Sequence, residues 1–115
     1  IRRAVESCPD DLKVVILGTG GMSHQLNGAR FGHLNRDFDK DFLDKIEAAP
    51  MALTEMTHQH IMEEAGAEAV ELIMWLTMRG ALSSDVSRVH RNYYAPMTTG
   101  MGLIAMEDAR LNRLT

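Results

Sequence analysis

The chain of 115 residues is long enough for one domain or part of one, and its 45% hydrophobic and 24% charged residues are ordinary for a globular protein. Its net charge of −4 and its lack of a Lys/Arg run do not indicate a surface that binds nucleic acid. Its longest apolar stretch, residues 72–76, is far too short to span a membrane. The single cysteine, Cys8, excludes an internal disulfide and suits the reducing cytoplasm, the compartment that we predict.

The first residues have the pattern of the last part of an amphipathic helix. The sequence begins at Ile1 and not at methionine, and its first apolar residues fall on one helical face: Ile1, Ala4, Val5 and Cys8. We therefore expect a processed or excised piece of a longer protein, in which a visible site would be only part of a site.

An apolar run followed by glycines is the most informative stretch of the sequence. The apolar run of residues 14–17 (VVIL) predicts a short strand over residues 12–17 that is buried on both faces, as in the sheets of α/β proteins. The glycines in residues 18–26 (GTGGMSHQL) allow a sharp turn beyond the carboxyl end of that strand, where ligands bind in open α/β sheets. This arrangement predicts that His24 lies at a site.

The rest of the chain predicts helices and then a hairpin. Residues 29–41 are expected to form a loop, and helices are predicted at 39–49, 51–64 and 67–79, the last apolar nearly all round and therefore buried on most sides. Two strands, 86–95 and 102–106, predict an antiparallel hairpin, followed by a polar tail or frayed helix over 107–115. The predicted fold class is α/β, with a buried central strand plus a hairpin packed against helices.

His24 and Glu71 are the residues whose chemistry stands out. An imidazole titrates near neutrality, so His24 is either a general acid/base or a histidine that merely bonds the loop backbone. Glu64, Glu68 and Glu71 form one helical stripe, which is either a solvated edge that pairs with an arginine such as Arg79 or carries Glu71 inward. A buried carboxylate of that kind would need a cation.

Other histidines and tyrosines give weaker signals. His58 and His60 lie two residues apart, which matches no standard zinc pattern, so we interpret them as surface residues. His90 and Tyr94 share one face of the predicted strand, where core packing is the default and a pocket wall is the alternative.

A partial nucleotide-binding pattern provides an alternative function. Gly18-x-Gly20 half-matches the dinucleotide fingerprint, with Asp37 or Asp39 where an acidic residue could bind ribose. The third glycine is missing and Asn27-Gly28 would cut the receiving helix, so the signal for a nucleotide-binding α/β oxidoreductase is weak.

Three segments together resemble one enzyme family. Residues 18–26 (GTGGMSHQL), 65–82 (AGAEAVELIMWLTMRGAL) and 89–107 (VHRNYYAPMTTGMGLIAME) resemble the catalytic (β) subunits of class III, LigB-type extradiol dioxygenases, which include protocatechuate 4,5-dioxygenase and the gallate dioxygenases. The resemblance covers nearly the whole chain, and the motifs occur in the family's order. It implies that residues 1–115 are the C-terminal portion of a single extradiol dioxygenase catalytic domain.

The resemblance also implies a cofactor and a set of site residues. Such enzymes hold non-haem Fe(II) with two histidines and one glutamate, leaving positions open for a catechol and O₂. Glu71 matches the iron-ligand glutamate, His24 the acid/base histidine, and Thr98 and Thr99 the loop that helps bind the substrate's ring carboxylate. The family's two iron-binding histidines lie upstream of the GTGG motif and have no counterpart here.

The expected function is extradiol cleavage of a small aromatic diol, a carboxylated catechol such as protocatechuate or gallate, with O₂ as co-substrate. A small α subunit and homodimerisation remain open as protein partners. Besides the nucleotide-binding oxidoreductase, a non-catalytic LigB-like structural subunit is the remaining alternative.

Overall fold

The computed structural model describes residues 1–109 and confirms the α/β class. Helices are followed in the chain by a two-stranded antiparallel sheet. The elements are α1 (Arg2–Glu6), α2 (Arg36–Ala48), α3 (Pro50–Thr54), α4 (His58–Ala65), a 3₁₀ helix (Ala67–Leu72), α5 (Ile73–Gly80), β1 (Val86–Tyr94) and β2 (Met101–Asp108). No helix within residues 1–109 is long and apolar enough to cross a membrane.

The predicted hairpin forms, and its register explains which face is buried. Val86 pairs with Asp108 and Tyr94 with Met101, with an irregularity between Arg88 and His90. His90 and Tyr94 share a face, as predicted, but both are exposed. The core packing expected for them is wrong because the opposite face of β1, which carries the part-buried Tyr93, packs toward α2.

The core lies between α2, α5 and the turn that carries the glycines. Asn35 caps α2, its side chain accepting a hydrogen bond from the backbone N–H of Phe38, so this helix begins before the predicted residue 39. The rings of Phe42 and Trp75 meet edge to face, with their centroids 6.0 Å apart. The buried residues of this core are Met22, Phe42, Leu43, Ile46, Leu53, Leu72 and Trp75.

The predicted buried strand over residues 12–17 does not form within the described chain. This segment belongs to neither strand of the sheet, and Val15 and Leu17 are 74% and 80% exposed. A strand is held by hydrogen bonds to a neighbour, and among residues 1–109 the hairpin strands pair only with each other. The prediction was wrong because composition indicates strand propensity and not the presence of a pairing partner.

Two of the predicted helices are interrupted. The 51–64 helix is divided into α3 and α4, since the side chain of Thr57 accepts a hydrogen bond from His60 N–H and caps a new helix there. Residues 67–72 of the predicted 67–79 helix are 3₁₀, so the glutamate stripe is not continuous. In the predicted tail, Glu107 and Asp108 belong to β2, and residues 110–115 lie outside the described residues.

Candidate functional site

The glycine turn leads into no helix, which removes the geometric basis of the nucleotide-binding alternative. Residues 21–35 contain bends, turns and one bridge residue, so no helix N-terminus faces the glycines to receive a pyrophosphate. Gly20 instead packs on the 3₁₀ helix: it has a φ of +146°, and a Cβ there would lie 2.9 Å from Glu71 Cγ. The glycines allow the turn to approach Glu71 closely.

The backbone and ring of His24 are both fixed. The residue is 6% exposed, and its N–H donates to the carbonyl of Ala65 at 2.8 Å. Nδ1 lies 2.6 Å from the carbonyl oxygen of Met22, an acceptor, so we assign the Nδ1 proton to that hydrogen bond. The assignment leaves Nε2 as the nitrogen that faces Glu71.

Glu71 meets both the glycine turn and His24. Its Oε1 accepts a hydrogen bond of 2.7 Å from the N–H of Gly21 and lies 3.5 Å from His24 Nε2. The side chain is 45% exposed, so it lies at the edge of the turn and not in the core. Arg79, considered as a partner of the stripe, donates instead to backbone carbonyls, including those of Ile46 and Ser83.

The loop that carries Thr98 and Thr99 lies against the same turn. Thr99 forms an isolated antiparallel bridge with His24, and Gly100 exchanges backbone hydrogen bonds with Met22 and Ser23 at 2.9 and 2.8 Å. A Cβ on Gly21 would lie 3.1 Å from His24 Cε1 and 3.4 Å from Thr99 Cγ2. The structure therefore brings His24, Glu71 and Thr99 together, with Thr98 adjacent.

A buried carboxylate beneath this turn was missed by the sequence analysis. Asp39 is fully buried and accepts hydrogen bonds from Ser23 N–H at 2.8 Å, Ser23 Oγ at 2.6 Å and Tyr93 OH at 2.5 Å. This burial excludes the ribose-binding role considered for Asp39. Its position in the middle of an otherwise apolar helix face, next to Phe42 and Leu43, was the sequence signal that could have indicated it.

The hydrogen bond to Asp39 also affects Tyr93. Burial and then the hydrogen bond and charge of Asp39 raise the pKa of Tyr93 well above its ordinary value. The phenol therefore stays protonated and acts as a donor to the carboxylate throughout the neutral range.

Comparison with known proteins identifies the family. Residues 1–104 match the family described as the catalytic LigB subunit of aromatic ring-opening dioxygenase. The chain belongs to this family. It is also 47% identical over 108 residues to a gallate dioxygenase of Pseudomonas putida, an alignment that covers 94% of this chain and 32% of the relative. The chain thus spans about a third of the length of that relative.

The described part of this LigB-family chain does not form a metal site by itself. Among residues 1–109, no group of three or more His, Cys, Asp or Glu side chains could hold a metal ion. Glu71 offers one carboxylate, and the histidine nearest to it, His24, has its Nδ1 engaged with Met22. These residues therefore do not fit Fe(II) without ligands from elsewhere. His58 and His60 are exposed, as predicted.

One concave region of the described chain has neither His24 nor Glu71 in its lining. It is an open groove of about 690 Å³ between the extended segment 12–18 and β2, with Trp75 and Met78 in its wall. The site of chemical interest is therefore marked by the grouping of side chains around the glycine turn and not by the size of a cavity.

Proposed function

We propose that this chain is the C-terminal portion of the catalytic domain of an extradiol aromatic ring-cleaving dioxygenase, and that its substrate is a carboxylated catechol such as gallate or protocatechuate. The observation that carries the proposal is the distance of 3.5 Å between His24 Nε2 and Glu71 Oε1, inside a segment that matches the LigB family. The 47% identity to a gallate dioxygenase supports the substrate class.

His24 is the proposed acid/base. The bond from Nδ1–H to the Met22 carbonyl holds the ring, so Nε2 is the atom that accepts a proton from a substrate hydroxyl and later returns it. The isolated bridge to Thr99 and the bond to Ala65 hold the backbone of His24 from two sides. A ring fixed in this way can transfer a proton without a large rearrangement.

Thr98 and Thr99 are the proposed substrate-binding residues. Their hydroxyl groups are suitable donors to a ring carboxylate, and both residues are part-buried beside the His24 turn. Contact with the carboxylate end of a catechol would fix which edge of the ring faces His24. Cleavage beside the diol is then favoured by orientation.

Fe(II) is the proposed cofactor, with Glu71 as one of its ligands. The two histidine ligands would come from the part of the LigB-type sequence that this chain does not span, since residues 1–109 hold no set of three ligands. When bound, Fe(II) would act as a Lewis acid toward the catechol hydroxyls. Glu71 would bind the ion through a carboxylate that the N–H of Gly21 already orients.

A chimera tests this proposal. In the Pseudomonas putida gallate dioxygenase, the 108 matched residues are replaced by those of this chain, and O₂ uptake and ring-opened product are measured with gallate and with protocatechuate. We expect ring opening beside the diol with at least one of them. A folded, iron-loaded chimera that is inactive while the parent enzyme is active would contradict the proposal and favour a non-catalytic LigB-like subunit.

Two variants of the chimera test the roles of the residues. His24→Phe should retain iron and lose activity by about 10²–10⁴-fold, whereas Glu71→Ala should lose iron. The matched controls are His58→Phe and Glu55→Ala, which alter exposed residues away from the turn. Unchanged turnover in His24→Phe rejects the acid/base role, and full iron content in Glu71→Ala removes Glu71 from the ligand set.

A further inference from the structure

The carboxylate of Asp39 joins α2 to two other segments of the chain. It projects from α2, accepts both donors of Ser23 in the His24 turn, and accepts the phenol of Tyr93 from β1. Ser23 Oγ in turn accepts the N–H of Asn35, the capping residue of α2. A charged group with no exposed surface is retained in a core when donors satisfy it, and here three donors do so.

Ser23, one of the two residues that bond Asp39, is linked directly to the site residues. Ser23 directly precedes His24, and its carbonyl accepts the N–H of Gly100, which directly follows Thr99. The carbonyl of Gly100 in turn accepts a hydrogen bond from the N–H of Met22. The carboxylate therefore lies beneath the point where the His24 turn and the threonine loop are joined.

Gly100 has no side chain, which allows the threonine loop to pack closely against the Asp39 carboxylate. A Cβ on Gly100 would overlap with Asp39 Oδ2 and would lie 3.0 Å from Tyr93 OH. The threonine loop thus rests directly on the Asp39–Tyr93 pair. A displacement of the carboxylate would be transmitted to both Ser23 and Gly100.

We propose that Asp39, together with Tyr93, is a positioning residue that sets the ring of His24 relative to the Thr98–Thr99 loop. The effect of this positioning on catalysis rests on the proposed function, whereas the positioning of the His24 ring does not depend on it. Neither residue touches the proposed reacting atoms, and both act through Ser23 and Gly100.

The chemistry of the donors explains why a carboxylate is suited to this place. Three donors converge on two oxygens, and a carboxylate is an acceptor at both. Asparagine at residue 39 would keep the shape but would direct an NH₂ group at one or two of these donors. Asp39→Asn therefore removes one of the two acceptor oxygens without leaving a cavity.

Nuclear magnetic resonance of the 115-residue chain tests the positioning directly. The readouts are the ¹⁵N shifts of the His24 ring, which report its tautomer, and the cross-peaks between this ring and the Thr99 methyl group. His24→Gln assigns the ring signals among the five histidines. The variants are Asp39→Asn, Tyr93→Phe, and the control Asp41→Asn, which alters an exposed carboxylate of the same helix.

We expect Asp39→Asn and Tyr93→Phe to shift the His24 ring signals and weaken the Thr99 cross-peaks in a chain that still gives a folded spectrum, and Asp41→Asn to change neither. Unchanged His24 and Thr99 signals in a folded Asp39→Asn variant overturn the proposal. Should Asp39→Asn fail to fold, Tyr93→Phe decides, since it keeps the carboxylate: shifted signals support the coupling and unshifted signals reject it.

The gallate dioxygenase chimera separates this proposal from the proposed function. In an active chimera, Asp39→Asn should lower kcat by about 10²-fold, with a smaller change in KM, because the ring is misplaced and the substrate still binds. Tyr93→Phe should have a smaller effect in the same direction. If Asp39→Asn shifts the His24 signals of the 115-residue chain but the chimera without this substitution is inactive, the proposed function alone is rejected. If that chimera is active but Asp39→Asn leaves the His24 signals unshifted, the positioning role alone is rejected.

Discussion

Gly66 lies directly against the backbone carbonyl of His24. A Cβ at residue 66 would overlap with the oxygen and carbon of that carbonyl, and the residue has a φ of +106°, a conformation that L side chains rarely adopt. On the preceding residue, the Ala65 carbonyl accepts the N–H of His24 at 2.8 Å. The end of α4 therefore fixes the turn that carries the imidazole, and the contact requires a residue without a side chain.

Gly66→Ala should lower the free energy of unfolding by at least about 2 kcal/mol, because a strained backbone and a backbone overlap are added together. Urea unfolding of the 115-residue chain measures the loss. Gly28→Ala is the control, since Gly28 also has a positive φ, +80°, but a Cβ there would make only an ordinary contact, 3.8 Å from Nε2 of Gln25. Equal losses in the two variants would show that only the backbone conformation matters and that the His24 contact does not.

The raised pKa of Tyr93 predicts a loss of stability at alkaline pH. Above about pH 10, the ordinary value for tyrosine, the unfolded chain releases the phenol proton while the folded chain keeps it, so the unfolded state binds fewer protons and the free energy of unfolding falls as pH rises. Tyr93→Phe should flatten this decline in unfolding experiments between pH 9 and the folded pKa. Tyr94→Phe, which removes an exposed phenol, should leave the decline in place.

Much of the site could be predicted from sequence because its parts are local. The glycine turn, His24 and the hairpin each depend on residues close together in the chain, and the helix propensity near Glu71 placed that residue on a helical element. The family resemblance implied only that Glu71 and His24 belong to one site, and the bond from Gly21 N–H to Glu71, 50 residues away, was not predicted. Composition alone contains no information on such a pairing.

The failures of prediction have a different origin. Asp39 was not recognised because its three donors come from segments 16 and 54 residues away. The one local signal, its place on the apolar helix face with Phe42 and Leu43, does not indicate where those donors are. The strand predicted at 12–17 required a neighbouring strand, and the break near Thr57 required a capping interaction that competes with an otherwise helical pattern. For Asp39 and residues 12–17, contacts distant in the sequence decide the outcome, whereas the Thr57 cap is a local interaction that was not recognised.

Arg79 should contribute to stability through its hydrogen bonds to carbonyl groups. The side chain is 4% exposed, and its guanidinium donates to Ile46 and Glu47 at the end of α2 and to Ser83 and Ser84 beyond α5. Burial lowers its pKa, an effect that the charge of Asp108 opposes.

Arg79→Lys should therefore cost about 2 kcal/mol, because one ammonium group cannot reach carbonyls on both sides and leaves at least one of them unpaired. Thermal and urea unfolding measure the change, with Arg36→Lys, at an exposed position of α2, as the control. A loss no larger than that of the control would mean that the carbonyl bonds of Arg79 contribute no net stability.

The amides of residues 14–17 should exchange with deuterium nearly as fast as those of an unfolded chain. No hydrogen bond joins them to another segment among the described residues. Hydrogen exchange followed by mass spectrometry measures this, with α2, whose Leu43 and Ile46 are fully buried, as the slow-exchanging reference in the same molecule. Strong protection at 14–17 in the dilute 115-residue chain would contradict the extended, unpaired conformation.

The same segment has a consequence for the colloidal behaviour of the free polypeptide. The run Val14-Val15-Ile16-Leu17 is aliphatic, with three β-branched residues, contains no proline and has Lys13 as its adjacent charge. Segments of this composition favour intermolecular cross-β contacts. We expect the solubility of the 115-residue chain to be limited by these four residues. Replacing Val15, which is 74% exposed, by lysine should raise the concentration at which the protein precipitates.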